Sequence, residues 1–178
     1  MQPIVIFRAC LLSLLLVSAV SRVSAEDLQA ASIFAMAIET SQGIEDDYGR
    51  AGALLDIAAT QAGVGLFREA HDTANGIELH PTRQTALHAI ARGQAQFGVF
   101  EEAKATAHLI EDTHTRWMAL FDIVSSQAAA GFFADAQETS WEAGGDRDAM
   151  LEVISAAQAE AGQISDALAT AHQIEDAY

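Results

Sequence analysis

Histidine side chains are the strongest candidates for metal chemistry in this chain. There are six of them: His71, His80, His88, His108, His114 and His172. A zinc or copper site needs several ligands that converge on one ion, commonly from positions i and i+4 of a helix or from a tight loop. No two of these histidines have that spacing. We therefore expect no metal site and no cofactor.

Serine, histidine and aspartate also occur in numbers that would permit a hydrolytic triad on paper. A nucleophilic serine of that kind usually stands on a strained turn framed by glycines, next to its general base. No serine in this chain has such a setting. The sequence therefore predicts no catalytic residue, and we do not expect an enzyme.

The elements that position these side chains are set by a repeat of about 33 residues. Each block begins at an arginine, namely Arg50, Arg83, Arg116 and Arg147. We describe positions by their offset, the number of residues after that arginine. Leucine stands at offset four, isoleucine at seven, Gln-Ala at eleven and twelve, and glycine at fifteen in every block. A period of this length indicates stacked helical repeats, each of which buries its apolar face against its neighbours.

The spacing within each block predicts two helices. Leucine and isoleucine at offsets four and seven lie on one helical face, and the glycine at fifteen ends that helix because it tolerates a left-handed backbone. We expect about nine helices in one domain, 26–178, made of a half-repeat at 27–47 and repeats at 48–80, 81–113, 114–145 and 146–178. Each repeat arginine is expected to pair with the acidic residues just before it, and each glutamine at offset eleven to bond turn carbonyls.

This pattern resembles the tetratricopeptide repeat family, whose unit is about 34 residues of helix, turn and helix. The shared features are the apolar residues at offsets four and seven, the small residue at eight, the glycine at fifteen, the aromatic at seventeen and alanine at twenty. Leucine stands where the family favours tryptophan, and glutamine where it favours tyrosine. The resemblance covers nearly all of 26–178 and implies an all-α fold, a right-handed α-solenoid of helix-turn-helix repeats.

The resemblance also implies a binding groove. In the family the first helices line a concave surface, so offsets two, five and nine should face it here. The candidate binding residues on this basis are Leu55, His88, Arg92, Met118, Phe121 and Glu152. Met118 and Phe121 would form an apolar anchor pair flanked by His88 and Arg92. Ordinary variation at unconstrained surface positions explains the same residues equally well.

The first 25 residues are typical of a cleavable signal peptide. Arg8 precedes an apolar run from Ala9 to Val20, and Val23-Ser24-Ala25 places small residues where a signal peptidase cuts. The run is shorter than the roughly 20 residues that span a bilayer, although an uncleaved anchor is the alternative. We expect a periplasmic or secreted protein without stable membrane insertion after cleavage. The single cysteine, Cys10, lies within the signal peptide, so no disulfide is expected in the remainder.

The formal net charge is −16. An acidic surface repels phosphate backbones, so no nucleic acid partner is expected. It suits a basic protein or peptide, although solubility alone also explains it.

Three functional hypotheses follow. The leading one is an exported adaptor or scaffold that binds a peptide segment or protein surface. The second is a self-associating structural protein of the cell envelope, a homo-oligomer joined through Ile164, Leu168 and Ile174 of its last helix. The third, an enzyme that acts on envelope material, has no supporting residues.

Overall fold

The computed structural model describes residues 25–143 and 147–175. Almost all of the predicted signal peptide, 1–25, and the Gly144-Gly145 junction lie outside these residues. The described residues contain nine helices and no strand, which confirms the all-α prediction. The helices are α1 (Ala25–Gln42), α2 (Asp47–Gly63), α3 (Phe67–Asn75), α4 (His80–Gln96), α5 (Phe100–His108), α6 (Thr113–Ala129), α7 (Phe133–Glu142), α8 (Asp148–Glu160) and α9 (Ile164–Glu175).

The chain divides into two compact units at Glu39 and Thr40. In the described part, the first unit is the greater part of α1. The second unit contains α2 to α9 and all four complete repeats. Within it, the first helix of each repeat packs against the second helix of the same repeat and against the first helix of the next one, so that α2, α4, α6 and α8 are neighbours in that order.

The predicted glycine ends every first helix in the second unit. Gly65, Gly98, Gly131 and Gly162 have φ between 76° and 83°, the only residues with positive φ in the described chain. In the first repeat, Gly65 N–H donates to Ala62 at 3.1 Å and Leu66 N–H donates to Gln61 at 2.9 Å. This pair of bonds is the Schellman motif, which satisfies carbonyls at a helix end. The same two bonds recur in the other three repeats.

Small side chains bring the helices close together. Alanine fills the buried positions at offsets twelve, twenty and twenty-four in the first two repeats, and isoleucine fills the space between repeats. At the closest point, a Cβ on Gly93 of α4 would lie 3.0 Å from Ala62 of α2. The fully buried large residues of the core are Ile77, Ile90, Ile110, Leu120, Ile123, Met150, Leu151 and Ile154.

The glutamine at offset eleven makes a different bond from the predicted one. Its side-chain oxygen accepts a hydrogen bond from a threonine on the second helix: Thr73 donates to Gln61 at 2.8 Å, Thr106 to Gln94 at 2.7 Å and Thr170 to Gln158 at 2.8 Å. The turn N–H groups bond the backbone carbonyl of the same glutamine. Because the glutamine lies in the last turn of its helix, its carbonyl reaches the turn and its side chain points to the second helix.

The repeat arginines also differ from the prediction. Arg50, Arg83 and Arg116 each donate to the backbone carbonyl six residues earlier, at 2.9, 3.4 and 3.0 Å. In the described residues, none of them forms an ion pair with the acidic residues that precede α2, α4 and α6, although Arg50 pairs with Asp47 inside α2. The carbonyl at the end of the preceding second helix has no helical partner, so a guanidinium satisfies it.

Candidate functional site

The candidate site is the first-helix face, which we define as offsets two, five and nine on α2, α4, α6 and α8. None of its twelve residues is buried. The first repeat contributes Gly52, Leu55 and Ala59, the second Thr85, His88 and Arg92, the third Met118, Phe121 and Ser125, and the fourth Ala149, Glu152 and Ala156. The helices α2, α4, α6 and α8 are neighbours, and the shared offsets place these residues at equivalent positions on the four helices.

The apolar part of the face lies on α6. Met118 is 39% exposed. Trp117 and Phe121 stack on each other with ring centroids 5.3 Å apart and an interplanar angle of 28°, and both rings also pack against the hydrophobic core. Core packing therefore holds the two rings, and Met118 is the most exposed side chain of the three.

The polar part of the face joins α4 to α6. His88 Nε2 lies 2.9 Å from Asp122 Oδ2, and both side chains are largely covered, with 14% and 31% exposed. Charge-assisted hydrogen bonds of this length have a firm geometry. The pair holds the two helices in register directly beside Phe121.

The remaining predicted residues lie on α2, α4 and α8. Leu55 is half-buried on α2, Arg92 is exposed one turn after His88, and Glu152 is exposed on α8. Thr85 and Ser125 donate their hydroxyls to their own helix, to Pro81 O at 3.2 Å and Phe121 O at 2.8 Å. The structure therefore places Met118 and Phe121 on α6 and pairs His88 of α4 with Asp122, the residue that follows Phe121.

Two residues that take part in these contacts, Trp117 and Asp122, were not predicted from the sequence. They occupy offsets one and six, adjacent to the predicted positions. The signal was present in the sequence: offset one holds Ala51, Gln84, Trp117 and Asp148, and offset six holds Asp56, Ala89, Asp122 and Val153. These positions vary as widely as those chosen for the face.

A polar hollow lies at the joint between α4 and α6. It has a volume of about 490 Å3 and is lined chiefly by His80, Gln84, Thr85, Glu111 and Asp112. Gln84 Oε1 accepts the backbone N–H of Glu111 at 2.5 Å, and His80 Nε2 lies 3.3 Å from Glu111 Oε2. The side chains that line it are thus bonded to each other across the joint.

Asp112 begins α6 and closes the same hollow. Thr115 donates to its carboxylate from both the hydroxyl and the backbone N–H, each at 2.7 Å. These two bonds lower the pKa of Asp112, with smaller contributions from nearby positive groups. The carboxylate therefore stays ionised as an N-cap, a role that stabilises the helix.

Within 25–143 and 147–175, no cluster of three or more histidine, cysteine, aspartate or glutamate residues is placed to hold a metal ion. None of the helices described there is both long and apolar enough to cross a bilayer. The face offers an apolar centre with a polar border, which is suited to contact with another molecule.

No family model, curated protein or solved structure matches this chain.

Proposed function

We propose that this protein is an exported adaptor or scaffold, built as a right-handed tetratricopeptide-like α-solenoid, that binds a peptide or protein segment on its first-helix face. The order of contacts among α2, α4, α6 and α8 supports the solenoid, as do the four recurring Schellman turns. Export rests on the predicted signal peptide at 1–25. The proposal does not include catalysis or a cofactor.

One observation carries the binding role. Met118 is an exposed apolar side chain beside a packed aromatic pair, in a face whose other rows are small or polar except for the half-buried Leu55. Binding energy in protein interfaces concentrates in a few residues of this kind, held in place by their neighbours. The overall charge of −16 favours a partner that carries lysine or arginine around an apolar side chain.

Photo-crosslinking tests this role. A photoreactive phenylalanine analogue placed at position 118 should capture a second protein from the envelope fraction of the source cells. The same analogue at position 48 is the control, because Tyr48 is 78% exposed but lies outside the face. Equal capture at the two positions, or none at 118, would show that the face is not a binding surface.

Substitution of Met118 provides the quantitative prediction. Met118→Ser should weaken binding of the captured partner about tenfold or more, which corresponds to about 1–2 kcal/mol. Because the side chain is already exposed, the free energy of unfolding should change by about 0.5 kcal/mol or less. Isothermal titration calorimetry and urea unfolding measure the two quantities. A large loss of stability would instead identify Met118 as a packing residue.

Self-association is the second candidate. Ile164 and Leu168 on α9 are 57% and 58% exposed, and within the described residues no later helix follows them. A cross-linked product of twice the monomer mass, together with a concentration-dependent mass in light scattering, would favour this function over the adaptor.

A further inference from the structure

We infer that the second unit carries another docking surface, distinct from the first-helix face, that takes a basic amphipathic segment of another protein. We call it the turn edge and define it as Val64, Phe67, Phe97, Phe100 and Phe132. These residues lie at or next to the turns inside the first three complete repeats. The inference rests on the proposed function only in assuming that the protein binds other proteins.

The turn edge contains two pairs of aromatic rings in contact. The rings of Phe67 and Phe97 meet edge to face with centroids 5.6 Å apart, and those of Phe100 and Phe132 do the same at 5.6 Å. Each pair joins one repeat to the next. Phe97 also lies against the turn before Phe67, because a Cβ on Gly65 would be 3.4 Å from its ring. The two pairs therefore place aromatic rings at both junctions among the first three complete repeats.

Much of the turn edge is open to solvent. Val64, Phe97 and Phe132 are 57%, 55% and 50% exposed, more than Met118 at 39%. Phe67 and Phe100 are half-buried, and their rings contact those of Phe97 and Phe132. Single exposed apolar residues are common, but exposed aromatic rings paired at two successive repeat junctions are typical of an interaction surface.

The charge near the turn edge identifies the occupant. Each complete second helix carries a carboxylate at offset nineteen, two residues after the start of the helix: Glu69, Glu102, Asp135 and Asp166. In the part of the chain that the structure describes, Arg68 pairs with Glu69 at 3.0 Å and Lys104 pairs with Glu101 at 3.0 Å, but Glu102 and Asp135 form no ion pair. Glu102 and Asp135 lie in the first turns of the helices that begin at Phe100 and just after Phe132. Exposed apolar rings with unpaired carboxylates in the same helix turns are complementary to leucine-like side chains flanked by lysine or arginine.

The same charge disfavours other occupants. A second copy would bring an equal net charge of −16 and the same carboxylates against the turn edge, which costs association energy. A cell membrane surface with anionic headgroups would be repelled for the same reason. A basic segment instead gains from both the apolar rings and the nearby carboxylates.

Fluorescence anisotropy with designed peptides tests the inference on the whole protein. The probe is a labelled amphipathic helix of leucine and lysine, with a lysine–serine peptide and a leucine–glutamate peptide as controls. We expect the leucine–lysine peptide to bind at least about tenfold more tightly than either control. Equal binding by lysine–serine would show that charge alone attracts the probe and would overturn the inference.

Two sets of variants locate the binding site. Phe97→Ser combined with Phe132→Ser should weaken the leucine–lysine peptide about tenfold or more, whereas Leu109→Ser should change its affinity less than about twofold. Leu109 is the matched control because it is 59% exposed and lies at the opposite end of α5 from Phe100. An equal loss in both proteins would show that the turn edge is not the site.

Charge-reversal variants test peptide binding at the turn edge if the phenylalanine variants fold poorly. Glu102→Lys combined with Asp135→Lys alters exposed side chains, leaves the aromatic pairs intact, and should weaken the leucine–lysine peptide while strengthening the leucine–glutamate peptide. No change in either affinity would overturn the inference.

Two further measurements separate the alternatives. A concentration-dependent doubling of mass that disappears in the phenylalanine variant would identify a second copy as the occupant and overturn the basic-segment assignment. Met118→Ser should leave the leucine–lysine affinity unchanged. If the peptide fails to bind while photo-crosslinking at position 118 succeeds, only the turn edge is wrong, and the proposed adaptor function stands.

Discussion

At the scale of single residues, the glutamine and threonine of each repeat form the most regular polar contact of the protein. The two side chains stand twelve residues apart and are bonded in the first, second and fourth complete repeats. In the third repeat the same residue types are present, but Gln127 Oε1 and Thr139 Oγ1 are buried without a hydrogen-bond partner. A buried polar group without a partner costs free energy that a bonded one does not.

Because Thr106 is bonded to its glutamine and Thr139 is not, substitution by valine should change the free energy of unfolding differently at the two positions. Thr106→Val should lower the free energy of unfolding by about 1–3 kcal/mol, because it leaves Gln94 Oε1 buried and unpaired. Thr139→Val removes a hydroxyl that has no partner and should be neutral within about 0.5 kcal/mol or stabilising. Urea unfolding of the two variants measures both values. Equal losses would show that Thr139 is bonded in solution.

The recurrence of this threonine could have been read from the sequence. Thr73, Thr106, Thr139 and Thr170 all stand at offset twenty-three, so this threonine recurs as regularly as the glutamine at offset eleven. The direction of the glutamine side chain could not be deduced in the same way. It depends on the packing of the second helix against the first, which periodicity alone does not describe.

At the scale of helices, glycine has two different roles. Gly52 lies inside α2, and a Cβ there would meet no atom within 4 Å, whereas a Cβ on Gly93 in α4 would lie 3.0 Å from both the side chain and the carbonyl oxygen of Ala62. The first glycine weakens its helix without a packing benefit. The second permits α2 and α4 to approach closely.

Substitution by alanine should therefore change stability in opposite directions at these two positions. Gly52→Ala should raise the free energy of unfolding by about 0.5–1 kcal/mol through helix propensity. Gly93→Ala should lower it by about 1–3 kcal/mol, because the helices must move apart. Thermal unfolding followed by circular dichroism measures both. A stabilised Gly93→Ala variant would mean that the contact between α2 and α4 is looser than described.

The repeat arginine makes different contacts in different repeats. Three repeat arginines bond the carbonyl six residues earlier. Arg147 instead donates to Ser140 at 3.2 Å and Gln173 at 3.1 Å, and its guanidinium lies 3.3 Å from the centroid of the Trp141 ring. Burial lowers the pKa of Arg147. The junction before it is two residues shorter than the others, so the guanidinium reaches an aromatic ring in place of a carbonyl.

At the scale of the second unit, four histidines connect successive repeats. His80, His88 and His108 each approach a carboxylate of the following inter-repeat loop or helix, at 3.3, 2.9 and 3.2 Å. His71 Nε2 lies 3.1 Å from Thr106 Oγ1. Because Thr106 donates its only hydroxyl hydrogen to Gln94, His71 must be the donor in that bond. These four histidines are therefore contacts between repeats.

His71 should make the free energy of unfolding depend on pH. Burial lowers its pKa below the usual value, and the nearby Asp72 only partly opposes this. Protonation therefore favours the unfolded state, so stability is fully present above the unfolded pKa of about 6.5 and is lost as the pH falls below it. The slope from one such group is at most about 1.4 kcal/mol per pH unit.

His71→Gln isolates this contribution, since glutamine donates a hydrogen bond without titrating. The variant should lose less stability than the parent protein between about pH 7 and pH 5.5, as measured by urea unfolding at each pH. His114→Gln is the control, because His114 is exposed at the start of α6. Parallel pH curves for the parent protein and His71→Gln would contradict the assignment.

The sequence by itself determined that the described chain is helical and where the first helix of each complete repeat ends. A repeat of about 33 residues specifies which positions are apolar and where glycine stops each helix, and these are local properties of the chain. Of the candidate site, it located the rows on α4 and α6 that contain His88, Met118 and Phe121.

Only the tertiary structure decided which side chains meet between repeats. The bond from His88 to Asp122, the aromatic pairs of the turn edge and the unpaired Gln127 all depend on how one repeat lies against the next. A one-dimensional pattern states that two faces pack, but the distance and rotation between them arise from the volumes of all the side chains at the contact together.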